Sequence, residues 1–247
     1  MLLLKMNSIY KDIQGAVING EKLLAVLIDP DKFTIENTNR FLKKVNASIA
    51  THIFVGGSTV DENLTGVLVE EIKKCTTLPV VLFPGDVTQI TDHADALLFL
   101  SLISGRHSEY LIGKHIEAVS KLKNTNLEVI PTGYILIESG NITAVEKVTE
   151  TKPMSRNDIQ NIVDTAKAGQ LLGMKLIYLE AGSGAKEPLT RAIISQVKKE
   201  LKTPLIVGGG IKSKIQLKNV YQAGADLVVI GTAFEDNELF FDEIKRE

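Results

Sequence analysis

The sequence has very few residues of the kinds that build disulfides or zinc sites. It contains one cysteine, Cys75, and four histidines among 247 residues. A single cysteine excludes an intramolecular disulfide, and His52, His93, His107 and His115 do not fall at zinc-ligand spacing. We therefore expect a protein of the reducing cytoplasm that folds without a disulfide bond or a structural metal ion.

Long apolar runs, linkers and a charge excess are also lacking. The apolar start, residues 1–4, is interrupted by Lys5 and is too short for a signal peptide, and no later run approaches the ~20 residues of a membrane span. With 28 basic and 30 acidic residues, the net charge of -2 argues against polyanion binding as the main role. No Pro/Ser-rich linker marks a boundary, so we expect one domain over residues 1–247.

What the sequence does have is an alternation of short apolar runs and amphipathic stretches. Its 247 residues, 44% of them hydrophobic, match one (β/α)8 TIM-type barrel of ~250 residues. Runs rich in β-branched residues predict eight buried parallel strands, at 22–28, 51–55, 79–83, 96–100, 127–137, 175–179, 204–207 and 226–230. Apolar residues at helical spacing predict helices at 35–45, 64–74, 159–172, 189–201 and 215–223.

Two connections depart from a regular barrel. Residues 84–95 are too few for a crossover helix, so the sequence predicts a modified barrel whose helix between strands 3 and 4 is missing or replaced by a turn. The long connection after strand 5 includes residues 140–148, which we expect to pass over the top of the barrel.

Glycine-rich loops follow three successive predicted strands. They are Gly182-Ser183-Gly184 after strand 6, Gly208-Gly209-Gly210 after strand 7, and Gly231-Thr232 after strand 8. Ligands of TIM barrels bind at the carboxyl ends of the strands, and phosphate commonly binds the last two loops. Glycine lets backbone N–H groups approach an anion without a Cβ in the way. The loops therefore predict a phosphate site, although glycines also occur simply in tight turns.

A carboxylate at the end of strand 6 is a candidate general base. Because side chains alternate along a strand, Tyr178 and Glu180 face the barrel interior while Leu179 faces the helices. Glu180 then lies beside the predicted phosphate loops, where it is either a base or half of a structural ion pair. Tyr178 either hydrogen-bonds a substrate or fills the core.

The end of strand 1 carries the candidate metal ligand. Asp29 is the first charge after an apolar strand, where an unpaired carboxylate is costly. Mg²⁺, which binds carboxylates together with substrate phosphates, would satisfy it. An Asp-Pro turn that caps the next helix is the alternative. Ser58, after strand 2, is a second candidate ligand, but Gly-Gly-Ser is also an ordinary loop.

Strands 4 and 5 are too apolar for solvated segments and resemble the wall of a pocket. Leu98, Leu100, Tyr134 and Leu136 lie beside the connection without a helix, which suits a long apolar ligand tail. Plain barrel core is the alternative for these residues. Arg106 and His107 lie in the segment after strand 4. Arg106 is suited to binding an anion, whereas His107 is more typical of a solvated helix start.

Six motifs in order resemble one known family. They are Leu27-Ile28-Asp29-Pro30-Asp31-Lys32, Phe54-Val55-Gly56-Gly57-Ser58, Pro131-Thr132-Gly133-Tyr134, Tyr178-Leu179-Glu180-Ala181-Gly182-Ser183-Gly184, Val207-Gly208-Gly209-Gly210-Ile211 and Gly231-Thr232. The sequence resembles the geranylgeranylglyceryl phosphate synthase family, relatives of the PcrB prenyltransferases, over almost its whole length. The resemblance implies a barrel lacking one helix. It also implies transfer of a geranylgeranyl group from its diphosphate to the 3-hydroxyl of sn-glycerol 1-phosphate, which forms an ether-lipid precursor and releases diphosphate.

The resemblance also assigns residues. It implies Mg²⁺ at Asp29 and Ser58, and Glu180 as the base. It places glycerol phosphate at Tyr178, Leu179, Glu180, Ala181, Gly182, Ser183, Gly184, Gly209, Gly210, Gly231 and Thr232. Thr232 stands where many relatives have asparagine. A homo-oligomer, dimer or hexamer, is implied as well.

Two other functions fit the phosphate loops. One is a sugar-phosphate isomerase or lyase, which needs no apolar groove. The other is a non-catalytic barrel that binds a phosphorylated metabolite, in which Asp29 and Glu180 are structural. The sequence has no Asp-rich DDxxD pair, which argues against a chain-elongating prenyl synthase.

Overall fold

Eight parallel strands form a closed barrel in chain order. The structure is a computed structural model and describes residues 8–57, 64–236 and 239–246. Each strand pairs with its neighbours along the chain, and β8 closes the barrel against β1. The strands are β1 Leu23–Ile28, β2 His52–Val55, β3 Val80–Leu82, β4 Ala96–Leu102, β5 Glu128–Leu136, β6 Leu176–Glu180, β7 Leu205–Gly208 and β8 Leu227–Ile230. The predicted TIM-type barrel is confirmed.

Helices surround most of the barrel wall. They are α1 Ile9–Ile18, α2 Thr38–Ala47, α3 Leu64–Cys75, α4 Lys114–Leu122, α5 Ala144–Thr149, α6 Ile159–Leu171, α7 Arg191–Glu200, α8 Lys214–Ala223, α9 Thr232–Asp236 and α10 Phe240–Glu243. In the part of the chain that the structure describes, none of the helices has both the length and the apolar character of a membrane span.

Side chains alternate between two apolar clusters on either side of the sheet. Leu179 packs in the cluster between the strands and the helices. Tyr178 belongs to the cluster inside the barrel, with Phe54 and Leu98. This is the period of two that the sequence of β6 predicts, and it places Glu180 at the inner edge of the sheet.

Helix α1 closes the amino-terminal end of the barrel. Its buried residues Ile9, Ile13 and Ala16 pack against the interior cluster. The Ser8 side chain caps its first turn by accepting the Lys11 N–H at 3.3 Å, and the Ser8 hydroxyl donates to Glu128 at 2.6 Å. The sequence did not predict this helix.

The connection between β3 and β4 contains a single turn of 3-10 helix, Val87–Gln89. The two strands share two residue pairs, Val81 with Ala96 and Leu82 with Leu97. The predicted absence of a crossover helix is therefore confirmed. The outer face of β4 packs instead against α4, where the His115 ring contacts the Phe99 ring at a centroid distance of 4.4 Å.

The long connection after β5 carries α5 over the carboxyl end of the barrel. The Thr143 side chain caps α5 by accepting the Glu146 N–H at 3.1 Å. The helix ends at Thr149, and the next residue, Glu150, has a left-handed backbone with φ 51°. Val145 and Val148 of α5 line the cavity beneath it, as expected for a segment that passes over the barrel top.

Candidate active site

A single cavity of about 390 Å³ joins a polar region to an apolar one at the carboxyl end of the barrel. Its polar region is lined by Asp29, Glu180, Gly182, Ser183, Gly184, Gly209, Gly210, Gly231 and Thr232. Its apolar region is lined by Val87, Ile90, Leu97, Leu98, Phe99, Leu100, Tyr134 and Ala118. The cavity therefore has the shape and chemistry for a ligand with a charged head and a long apolar tail.

Glu180 is a buried carboxylate at the centre of the polar region, with an exposed fraction of 7%. Its Oε1 accepts the backbone N–H of Gly182 at 2.6 Å, which orients the carboxylate toward the glycine loops. Burial raises the pKa of the Glu180 carboxyl, and the Tyr178 hydroxyl and then the Gly182 N–H oppose part of that shift because they stabilise the ionised form. A carboxylate with a raised pKa is a stronger base than an exposed one.

Two tyrosine rings lie next to Glu180, and Phe83 packs against both of them. The Tyr178 ring is 5.4 Å from that of Phe83 and 5.2 Å from that of Tyr134, measured between centroids. Burial, and then the negative charge of Glu180, raises the pKa of both tyrosines, so both hydroxyls stay protonated. The Tyr178 hydroxyl lies beside the Glu180 carboxylate and stabilises its ionised form, although it has no partner of ideal hydrogen-bond geometry among the residues that the structure describes. It is therefore placed to donate either to Glu180 or to a bound ligand.

The loops after β6, β7 and β8 meet at the same place. The Ser183 and Thr232 hydroxyl oxygens are 3.1 Å apart, which links the first loop to the last. Gly209 has φ 87°, and a Cβ on it would lie 2.5 Å from Glu180 Oε1. Only glycine fits there, because any side chain would displace the candidate base.

Asp29 lies at the edge of the cavity with its carboxylate held on both sides. Its Oδ1 accepts the N–H of Asp31 at 3.2 Å, and its Oδ2 is 3.1 Å from Lys32 Nζ. A Cβ on Gly57 would lie 2.5 Å from Asp29 Oδ1, so the loop after β2 packs tightly on this carboxylate. Ser58, the second predicted ligand, lies outside the described residues.

Gln89 is a residue of this region that sequence reasoning missed. It is buried, and its Nε2 donates to Gly57 O at 2.8 Å while its Oε1 accepts the Gly57 N–H at 3.3 Å. The turn that replaces the missing helix thereby fixes the loop beside Asp29. A glutamine in a short polar segment carries no signal of this contact, because the partner lies 32 residues away.

The apolar region leaves the barrel interior and continues on the outer face of β4. Inside the barrel it is lined by Leu98, Leu100 and Tyr134. Outside, it runs between the β3–β4 connection and α4. We call this outer part, lined by Val87, Ile90, Leu97, Phe99, His115 and Ala118, the side groove. The missing helix therefore creates space for a ligand.

An ion pair crosses the side groove. Lys114 Nζ, at the start of α4, lies 2.8 Å from Asp86 Oδ2 in the β3–β4 connection, and 3.1 Å from Glu117 Oε2. These two carboxylates raise the pKa of Lys114. The Asp86 side chain also caps the 3-10 turn by accepting the Thr88 N–H at 3.1 Å. The pair holds the two walls of the groove together.

Some predicted site residues lie away from the cavity. Leu179 and Ala181 are buried between the sheet and the helices, so they can offer only backbone groups. Leu136 is buried inside the barrel and does not line the cavity. Arg106 donates to the carbonyls of Ile103 and Gly105, at 3.2 and 2.6 Å. The imidazole of His107 accepts the Glu109 N–H at 3.3 Å, and neither Arg106 nor His107 lines the cavity.

The closed barrel, its open side and its two-ended cavity define a modified TIM barrel with a site for an amphipathic ligand. A family model described as the PcrB family matches residues 16–247. The chain belongs to the PcrB family. This finding confirms the resemblance that the ordered motifs carry.

Similar proteins extend over nearly the whole chain. A protein of Flavobacterium johnsoniae named geranylgeranylglyceryl phosphate synthase is 54% identical, covering 96% of this chain and 98% of its own. One of the same name from Zunongwangia profunda is 57% identical, covering 92% of this chain and 96% of its own.

A solved structure is also similar. It is (S)-3-O-geranylgeranylglyceryl phosphate synthase from Thermoplasma acidophilum in complex with substrate sn-glycerol-1-phosphate, with a TM-score of 0.89 and 32% identity over 96% of this chain and 95% of that one. A tryptophan synthase alpha-subunit variant from Pyrococcus furiosus, at 14% identity and a TM-score of 0.57, covers 87% of this chain and 88% of its own and shares the fold.

Proposed function

We propose that this protein transfers a geranylgeranyl group from its diphosphate to the 3-hydroxyl of sn-glycerol 1-phosphate. The observation that carries the proposal is the single cavity that joins a buried carboxylate and glycine loops to an apolar groove. Relatives at 54% and 57% identity bear the name of this activity. The sugar-phosphate isomerase or lyase is disfavoured, because a small polar substrate leaves the apolar half of the cavity without a role.

The glycine loops hold the acceptor. Backbone N–H groups of the loops after β6, β7 and β8, with the Ser183 and Thr232 hydroxyls, surround the phosphate of glycerol phosphate. This binding fixes the glycerol so that its 3-hydroxyl lies against Glu180. Holding the two reactants in one geometry removes much of the entropic cost of a bimolecular step.

Glu180 acts as the general base. Its carboxylate takes the proton from the 3-hydroxyl as that oxygen forms a bond to the allylic carbon of the donor. The bond from that carbon to the diphosphate breaks with its electron pair, and diphosphate leaves. Positive charge that develops on the allylic carbon is stabilised by the faces of the Tyr134 and Tyr178 rings, which lie 5.2 Å apart.

Asp29 fits a role as a Mg²⁺ ligand. The described residues contain no cluster of three or more metal-ligating side chains. Mg²⁺, however, usually binds one or two carboxylates together with substrate phosphates and water. Asp29 supplies such a carboxylate at the cavity edge, where the Lys32 ammonium already occupies a cation position. Bound Mg²⁺ would neutralise the diphosphate and make it a better leaving group. Ser58 stays a proposed second ligand.

The apolar half of the cavity holds the prenyl tail. Leu98, Leu100 and Tyr134 line its start, and the side groove continues it past the outer face of β4. Burying such a tail contributes about 0.8 kcal/mol per methylene, so a deep groove favours long donors over short ones. We propose the C20 geranylgeranyl group as the preferred donor.

A prenyl-transfer assay tests the function. C15, C20 and C35 diphosphates are incubated with glycerol phosphate, with and without Mg²⁺, and the ether product is measured. We expect C20 transfer that depends on Mg²⁺. A clear C35 preference would overturn the proposed donor. Absence of transfer with all three would remove the prenyltransferase proposal and favour a binding barrel.

Three further properties stay predictions. They are a homo-oligomer (dimer or hexamer), a cytoplasmic location, and a single domain over residues 1–247. Light scattering on the purified protein measures the first, and limited proteolysis tests the last.

A further inference from the structure

Lys32 shares the edge of the cavity with Asp29. Its Nζ lies 3.1 Å from Asp29 Oδ2, and its side chain, 53% exposed, lines the cavity. The backbone fixes this pairing, because the N–H of Lys32 donates to Asp29 O at 3.1 Å and that of Phe33 donates to the same oxygen at 3.0 Å. The turn therefore keeps the root of the Lys32 side chain next to the carboxylate.

A metal ion and the Lys32 ammonium compete for the same oxygen. Asp29 Oδ1 already accepts the Asp31 N–H, and the Gly57 loop packs on both carboxylate oxygens. Oδ2 is the oxygen that faces the Lys32 ammonium, so it marks the position that a cation takes. Mg²⁺ binds a carboxylate oxygen at about 2.0–2.1 Å and repels a neighbouring cation. Binding at Oδ2 thus requires the ammonium to move away.

The ammonium has a destination inside the same cavity. Lysine carries its charge on a flexible four-carbon stem, and a half-exposed side chain moves without unfolding the turn. A diphosphate and Asp29 together carry more negative charge than one Mg²⁺ neutralises. A second cation at the diphosphate is therefore favourable.

We infer that Lys32 occupies the cation position at Asp29 in the metal-free protein and moves to the diphosphate when metal and diphosphate bind. The inference rests on the proposed diphosphate substrate. It makes Lys32 a binding residue with two opposite effects: it weakens binding of the metal alone and strengthens binding of the diphosphate.

Two binding measurements without any prenyl acceptor test this inference. Mn²⁺ binding to the protein alone is followed by electron paramagnetic resonance, and inorganic pyrophosphate binding at saturating Mg²⁺ is followed by calorimetry. The variants are Lys32→Met, which removes the charge, and Lys32→Arg, which keeps it. Lys43→Met, at an exposed position of α2, controls for the change in net charge.

Lys32→Met is expected to shift the two affinities in opposite directions. Loss of an exposed ion-pair competitor tightens Mn²⁺ binding about threefold, and loss of a charge-assisted contact weakens pyrophosphate binding about tenfold or more. Lys32→Arg and Lys43→Met are expected to stay within about twofold of the parent for pyrophosphate. Circular dichroism of each variant checks folding, and Lys32→Gln serves in place of Lys32→Met if that variant is unfolded.

Other outcomes overturn the inference. If both affinities weaken, Lys32 merely supports the turn, and if pyrophosphate binding is unchanged, the ammonium does not reach the diphosphate. Unchanged Mn²⁺ binding would show that there is no competition at Asp29. Failure of prenyl transfer with the opposite shifts present would remove the proposed function and leave this inference standing.

Discussion

At the residue scale, the surroundings of Glu180 set how strongly its carboxylate attracts a proton. The carboxylate is buried between the glycine loops and two tyrosine rings, and the Gly182 N–H and the Tyr178 hydroxyl stabilise its ionised form. Gln at this position would keep the bond from the Gly182 N–H and lose only basicity. This makes Glu180→Gln a clean test of the proposed base.

We predict that Glu180→Gln lowers kcat by ~10²–10⁴ and leaves glycerol phosphate affinity within a few-fold of the parent. Steady-state kinetics and calorimetry measure the two quantities. Glu200→Gln, at the carboxyl end of α7, is the control and is expected to have parental kinetics. Near-normal kcat in Glu180→Gln would place the base elsewhere, and an unfolded variant would favour a structural role.

The pH profile gives a second view of the same residue. Because burial raises the pKa of Glu180, the carboxylate is lost as the pH falls through a value above the ordinary range for glutamate. We predict an acidic limb of kcat/KM at that displaced pH in the parent and no such limb in Glu180→Gln. A limb unchanged by the substitution would assign it to another group.

His52 makes stability depend on pH independently of the site. Burial lowers its pKa to about 4, below the ~6.5 of an exposed histidine. The unfolded chain therefore binds a proton first as the pH falls below ~6.5, and stability present above that pH is lost toward the folded pKa.

We predict that His52 costs the parent about 1.3 kcal/mol of unfolding free energy between pH 7.5 and pH 5.5. Urea unfolding of the parent and of His52→Gln at both pH values measures this loss as the difference between the two proteins. His93→Gln, at an exposed position, should retain the parental loss. Equal losses in the parent and His52→Gln would contradict the assignment.

Site residues could be predicted from sequence where the signal is local. Asp29, Glu180 and the glycine loops stand at strand ends, so the strand pattern alone locates them in the barrel mouth. Gln89 could not be found this way, since its contact depends on a connection folding back on a distant loop. The Asp86–Lys114 pair escaped for the same reason, as its partners are brought together only by the closed barrel.

At the scale of elements, α1 acts as the floor of the barrel. Ile13 is 1% exposed and packs in the interior cluster, whereas Ile18 of the same helix is 84% exposed. This helix was not predicted from the sequence, because its apolar residues lie between a short apolar start and the first predicted strand. No strand precedes it, so it is not one of the helices expected to connect two strands. The burial of α1 depends on contacts with the barrel interior, so it cannot be predicted from the local sequence.

We predict that Ile13→Ala lowers the free energy of unfolding by about 2–5 kcal/mol, since it removes methyl groups from a packed interior. Ile18→Ala, in the same helix with the same chemistry, is expected to change it by less than about 0.5 kcal/mol. Urea unfolding measures both. Similar effects of the two variants would show that α1 does not seal the barrel.

The ion pair across the side groove belongs to the same scale. Asp86 and Lys114 are 35% and 30% exposed, so their pairing contributes at most about 1 kcal/mol to stability. We expect the pair to matter more for the position of the side-groove walls than for the free energy of unfolding, because it links the β3–β4 connection to α4.

We predict that Lys114→Met raises KM for the prenyl diphosphate several-fold and leaves KM for glycerol phosphate unchanged. Lys121→Met, at an exposed position of the same helix, is the matched control. Steady-state kinetics with each substrate varied in turn measures the split. An equal rise for both substrates would show that the pair supports the whole site rather than the groove.

At the scale of the whole molecule, the closed barrel brings all eight strand ends to one rim. This is why eight apolar runs in order were enough to predict the architecture, and why the short third connection was enough to predict the gap in its wall. The observed strand ends differ from the predicted ones by one or two residues. The reason is that hydrogen bonding to the neighbouring strands, and not the length of the apolar run, decides where a strand stops.

The closed rim couples ligand binding to global stability. We predict that glycerol phosphate at about 100 times its dissociation constant adds about 2.7 kcal/mol to the unfolding free energy and raises Tm by about 5–10 °C. Thermal scans with and without the ligand measure the rise, and Glu180→Gln is expected to keep it. No rise at a concentration shown by calorimetry to saturate the protein would contradict binding to the folded barrel.

The missing helix also changes how a long chain can enter. A closed tube accepts a flexible chain only end first, and threading slows as the chain grows. A groove bounded by a short connection on one side and α4 on the other is instead loaded sideways along its length. For donors that fit the groove, we therefore expect association rates that vary little with the number of isoprene units, so that discrimination between them appears in how long each one stays bound.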